Sequence, residues 1–137
     1  MSSLTAHRDI AATPGALSRI ILDVAALADW NPALCAVEDT DDAVAIEGKP
    51  YPVSTRIPGP ATLTYELVSD TRVTWRLAVQ GGAEVGDWEL RAHANGTYVR
   101  HTMEHSGAVF KLLRNAMRPV PVLRLDSLAA RAAAAEG

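Results

Sequence analysis

The chain has one cysteine, Cys35, so no internal disulfide can form and the fold does not depend on an oxidising compartment. No run of five or more like charges occurs. The net charge is −3 and the pI about 5.7, which argues against a chain that tracks a phosphate backbone, since that needs a basic stripe. No apolar stretch nears the ~20 residues that cross a bilayer. Met1-Ser2-Ser3-Leu4 lacks a basic start followed by an apolar run, so no secretory signal is expected. The phosphate loop, dinucleotide fingerprint, zinc spacing and serine elbow are all missing, and no cofactor is expected. Internal repeats and linkers are missing too. What remains is a cytoplasmic domain spanning residues 1–137, with a normal globular balance of 48 % hydrophobic and 21 % charged residues.

The apolar pattern then divides the chain. Leu4 to Ile10 is extended in character. Thr13 can cap a helix opened by Pro14, with Leu17, Ile20, Ile21 and Val24 at helical spacing. A second helical turn covers Ala25 to Ala28, and Asn31 before Pro32 ends it. From there the period is two. Strands are predicted over 33–38, 51–57, 61–67, 73–79, 83–93 and 97–106. The rest, 107–135, is helical, with an apolar stripe of Val109, Phe110, Leu112, Leu113 and Met117. Val122, Leu125, Leu128 and Ala129 resume it after a break at Pro119 and Pro121. The alanine-rich tail to Gly137 reads as a helix end.

Two glycine-bearing bends set registers. With Asn95-Gly96 as a two-residue loop, Leu90 faces His101, Trp88 faces Met103 and Gly86 faces His105. With Gly81-Gly82 as the loop, Trp75 faces Trp88, Leu77 faces Gly86 and Val73 faces Leu90. A three-residue loop at 69–71 puts Tyr65 opposite Trp75, Leu63 opposite Leu77 and Leu67 opposite Val73. Every pair sets apolar against apolar, and a one-residue slip would turn each set outward. Arg91 opposite Arg100 is the one like-charge pairing, softened by Glu89 on the diagonal.

The passages Ile10-Ala11-Ala12-Thr13-Pro14, Asp29-Trp30-Asn31-Pro32 and Gly96-Thr97-Tyr98-Val99, the last followed by Gly107 and the long helix, occur in an order that resembles the START-like (SRPBCC) superfamily. That superfamily includes birch-pollen-allergen-like proteins and the polyketide cyclase/dehydrase family. The resemblance implies an α+β helix-grip fold. In it a curved seven-stranded antiparallel sheet wraps a long C-terminal helix, two short helices follow strand 1, and a cavity lies between sheet and helix. It also implies a ligand class: members bind lipids, sterols, plant hormones or polyketides, and some cyclise or dehydrate polyketides. No catalytic motif is shared across the superfamily, and the proline pair departs from an uninterrupted grip helix.

His101 and His105 are the candidate proton carriers, because both fall on the apolar face and a histidine titrates near neutrality. Each is also readable as a hydrogen-bonded interior or rim histidine with no chemical task, the reading preferred for His101. Tyr65 is a third candidate. A shared metal is disfavoured, since four residues on a strand separate the histidines by ~13 Å. Trp30, Tyr51, Tyr65, Trp75, Leu77, Trp88, Leu90, His101, Met103, His105, Leu113 and Met117 are expected to line the cavity or, as readily, to fill a core. Arg8 is either a buried anion anchor or a rim side chain, Cys35 lacks an activating neighbour, and Glu84 is expected to be solvated. Three functions stay open: binding of a hydrophobic small molecule, polyketide cyclase, aromatase or dehydratase chemistry on such a molecule, and a filled-core interaction protein whose Lys111, Arg114 and Arg118 face contacts a partner.

Overall fold

The computed structural model describes residues 2–136; Met1 and Gly137, the latter read above as the end of the helical tail, lie outside them. Strand β1 (Ser2–Ile10) leads into α1 (Pro14–Leu22), whose N-cap Thr13 accepts a hydrogen bond from the Ala16 amide, and then a 3-10 turn (Val24–Asp29). Six strands follow: β2 (Leu34–Val37), β3 (Pro50–Thr55), β4 (Ala61–Val68), β5 (Arg72–Val79), β6 (Gly82–His93) and β7 (Gly96–Ser106). They form a seven-stranded antiparallel sheet in the order β1-β7-β6-β5-β4-β3-β2. The chain ends in α2 (Ala108–Leu112), α3 (Arg114–Met117) and α4 (Val120–Glu136).

Both hairpin loops sit one residue earlier than the glycine pairs suggested. They are Gln80-Gly81 and Ala94-Asn95, closed by Val79↔Gly82 and His93↔Gly96. The sequence reading assumed two loop residues at positive φ. Here each bend places one glycine there, Gly81 (φ 90°) and Gly96 (φ 142°), and every described non-glycine residue keeps negative φ. The registers therefore move by two residues, which changes partners but not faces. Trp88 pairs with His101, Gly86 lies between Trp75 and Met103, and Glu84 lies between Leu77 and His105. The shift also dissolves the like-charge pair: Glu89 stands directly opposite Arg100, and Arg91 opposite Tyr98.

The β4–β5 register follows the three-residue loop through Tyr65↔Trp75 and Leu63↔Leu77. A bulge after Tyr65 then rotates the strand, so Val68 faces Val73 and Leu67 turns outward.

The core lies between the sheet's concave face, α1 and α4. Leu17 and Ile21 of α1 and Leu125 and Leu128 of α4 close over Tyr65, Trp75, Trp88, Leu90 and Val99. α4 lies against β1, β7 and α1. The terminal helix breaks at Leu113 and again at Arg118-Pro119, whereas Pro121 falls within the first turn of α4. Leu112 and Val122, expected on the apolar stripe, are exposed, whereas Arg124 takes a fully buried position one turn before Leu128.

Candidate functional site

A cavity of about 340 Å³ lies between the C-terminal part of β5, in the middle of the sheet, and the broken terminal helix. Leu77 and Val79 form the sheet side, with Ile57 beyond the end of β3. Phe110, Leu113, Met117, Val120 and Leu123 form the helix side, along a helix broken at Leu113 and Pro119. Its exposed lining residues, including Arg56, Ala116 and Leu123, mark a rim open to solvent. Glu84 is the one carboxylate in the wall.

Glu84 is not solvated, as the sequence reading expected; it is 1 % exposed. It occupies the same strand parity as Gly86, Trp88 and Leu90 and so must point inward. The carboxylate survives there because four donors saturate it. Oε1 accepts from His105 Nε2 at 3.1 Å and from Arg124 Nη2 at 3.2 Å. Oε2 accepts from Trp75 Nε1 at 3.0 Å and from Arg124 Nη1 at 2.9 Å. Burial alone would raise its pKa. The Arg124 charge and the hydrogen bonds from His105, Arg124 and Trp75 outweigh burial and hold it well below the usual carboxylate range.

Arg124, which the sequence reading did not single out, is the hub. Besides Glu84 it donates through Nε to Asn31 Oδ1 (3.1 Å), and through Nη1 it reaches Met103 Sδ (2.9 Å) and His101 Nε2 (3.2 Å). Its guanidinium carbon sits 5.5 Å from the Trp75 ring centre. These contacts fix the His101 tautomer. Nε2 faces a cationic donor, so it carries the lone pair, and Nδ1–H donates to the Asp87 carbonyl at 3.0 Å. Burial, then the Arg124 charge, pushes the His101 pKa down to about 3, and the ring is neutral. It stacks on Trp88 at 3.8 Å.

Glycine at 86 makes this network possible. A Cβ there would lie 2.3 Å from Trp75 Nε1, so only a bare backbone lets the indole cross β6 toward Glu84. The sequence reading gave that space to His105; its ring instead stacks on Phe110 at 4.3 Å with 5° between planes, and its Nε2 meets Glu84.

Of the residues expected to face a ligand, Leu77, Leu113 and Met117 border the cavity. Trp30, Tyr65, Trp75, Trp88, Leu90, His101 and Met103 are packed core instead, and His105 backs onto the cavity through Phe110. Tyr65 donates to the Ile21 carbonyl at 2.6 Å, its pKa raised by burial, and is not brought to His105 as a second proton carrier. Tyr51 is buried and donates to Asp42 at 2.6 Å rather than reaching the cavity mouth. Arg8 is a rim side chain paired with Asp126 of α4, and Cys35 is exposed on β2. Among the described residues no group of three or more His, Cys, Asp or Glu side chains is arranged to hold a metal, and no helix is long and apolar enough to cross a membrane.

The family model described as polyketide cyclase / dehydrase and lipid transport matches residues 1–133. No curated protein matches the sequence. A structure from Mesorhizobium loti superposes with a TM-score of 0.75 at 13 % identity, over 94 % of this chain and 95 % of that one. A norcoclaurine synthase point mutant of Thalictrum flavum, solved with a transition-state analogue, gives 0.73 at 11 % identity over 99 % and 96 %. The di-domain ARO/CYC StfQ of the steffimycin biosynthetic pathway gives 0.73 at 9 % identity, over 98 % of this chain and 51 % of that one. At such identities these likenesses concern the fold.

Proposed function

The chain belongs to the polyketide cyclase/dehydrase and lipid transport family, and on that premise we propose that it binds a hydrophobic small molecule, lipid- or polyketide-like, in the cavity between β5 and the α2–α3 segment. The observation that carries this reading is the make-up of that cavity. Its walls are mostly Leu, Val, Ile, Met and Phe side chains, with Arg56 at the exposed rim, and its one carboxylate has all its hydrogen-bonding capacity used by the protein. A ligand gains hydrophobic contact along these walls and meets a free charge only at the rim, at Arg56. A cavity of about 340 Å³ suits a single aromatic unit or a short alkyl chain, at the lower end of the ~300–1,000 Å³ range for small-molecule sites. Fluorescence displacement and native mass spectrometry with fatty alcohols, fatty acids and aromatic polyketides test the proposal. Leu113→Trp, which fills the cavity, is expected to weaken binding at least about tenfold. Equal binding by Leu113→Trp would refute the site.

The second reading is a cyclase, aromatase or dehydratase acting on such a ligand. It draws on the His105–Glu84 pair, which lies directly against the wall residue Phe110. Under it His105→Ala cuts turnover of a polyketide substrate by roughly 10²–10⁴ while leaving ligand affinity nearly intact. Unchanged turnover leaves the binding reading alone.

A further inference from the structure

The outward side of α2 and α3 has no place in ligand binding, yet its composition is unusual for this chain. From Ala108 to Arg118 there are three bases, Lys111, Arg114 and Arg118, and no acidic residue, although the whole chain carries a net charge of −3. All three are exposed, and among the described residues none forms a salt bridge. Arg114 and Arg118, four residues apart across α3, lie on one side of it, and Lys111 precedes them in α2. Beside them Leu112 is 86 % exposed, the most exposed of the large hydrophobic side chains. Leu123, also exposed at 46 %, belongs to the cavity rim. The inward side of the same two short helices, Phe110, Leu113 and Met117, is the cavity wall.

We propose that the α2–α3 segment docks on an anionic lipid bilayer. Leu112 enters the headgroup layer, Lys111, Arg114 and Arg118 meet lipid phosphates, and the cavity rim is set against the membrane. A projecting aliphatic side chain beside unpaired bases is complementary to a fluid, negatively charged interface, which takes an isolated leucine without a preformed recess. A folded acidic partner would need a hole shaped for Leu112. Docking in this orientation lets a hydrophobic molecule pass between bilayer and cavity with little exposure to water; that consequence rests on the ligand-binding reading, whereas the docking itself does not.

The test is co-sedimentation of the full chain with vesicles of phosphatidylcholine containing roughly one third phosphatidylglycerol, beside pure phosphatidylcholine vesicles, at low and high salt. Dodecanol binding without vesicles is measured in parallel. Binding to the anionic vesicles is expected to fall about tenfold or more on pure phosphatidylcholine, at high salt, in Leu112→Asp and in the double variant Arg114→Glu with Arg118→Glu. Dodecanol binding is expected to be unchanged by these substitutions. Failure of the wild type to bind anionic vesicles overturns the docking, as does undiminished binding by Leu112→Asp. Retention on immobilised polyglutamate without vesicle binding assigns the face to protein and overturns it equally. Vesicle binding without dodecanol binding upholds the docking and refutes the ligand-binding reading instead.

Discussion

Arg124 holds the Glu84 carboxylate through both terminal nitrogens, at 2.9 and 3.2 Å, with both side chains closed to solvent. The pair ties α4 to β6 across the middle of the fold. Because His101, His105, Trp75, Met103 and Asn31 all attach to one or other partner, it also sets the position of much of the aromatic core.

Breaking this pair from one side leaves a charge buried without its counterpart. Arg124→Met is expected to destabilise the protein by about 3–5 kcal/mol. Adding Glu84→Gln to Arg124→Met removes the stranded charge and is expected to recover a substantial part of that loss. Urea denaturation of the two single variants and the double variant reads the coupling. Additive losses would mean that the two side chains do not depend on each other.

Stability is expected to fall with acid in two overlapping stages. The folded His101 pKa is lowered from 6.5 to about 3, so between those values the unfolded chain binds a proton that the folded chain refuses. Stability is therefore full above about pH 6.5 and declines as pH drops toward 3, by an amount on the order of a few kcal/mol. The folded Glu84 pKa is depressed too, so its contribution is present above the unfolded value of 4.5 and fades below it. His101→Gln is expected to flatten the dependence between pH 6.5 and 4.5 and to leave the lower stage. Urea midpoints across that range, compared with the wild type, make the measurement, and a His101→Gln slope identical to wild type would contradict the neutral buried imidazole.

Gly86→Ala is expected to behave as an overpacked core variant, costing about 1–3 kcal/mol, because its methyl group falls on the Trp75 indole. Near-ultraviolet circular dichroism reports the displacement, since Trp75 lies 5.7 Å from Trp88 and 6.0 Å from Tyr65, centre to centre. An unchanged aromatic spectrum would show that the indole does not cross that glycine.

The fold was legible because alternation tolerates error in even steps. Both hairpins were assigned loops one residue too late, yet the inward set of Trp75, Trp88, His101, Met103 and His105 kept its face. Leu67 was misplaced because a bulge adds one residue, an odd step, and nothing in Tyr65-Glu66-Leu67-Val68 announces it. The cavity wall was legible only in part, at Leu77, Leu113 and Met117. The break at Leu113, which divides α2 from α3, is one that the hydrophobic pattern does not encode. Glu84 could have been found: its parity matched Trp88 and Leu90, and charge type was allowed to outweigh parity. Arg124 had a matching signal, one turn before Leu128 on the buried side, and an arginine on an apolar face implies a buried acid to receive it.

The ligand-binding reading stands or falls on whether a hydrophobic molecule occupies the space between Leu77 on the sheet and Leu113 and Leu123 on the terminal helices. Methyl-resolved nuclear magnetic resonance during titration with dodecanol tests it most directly. Saturable shifts are expected at Leu77, Leu113, Met117 and Leu123, with Leu17, Leu125 and Leu128 of the packed core unmoved. Shifts spread evenly over core and surface methyls, or none at all, would contradict it.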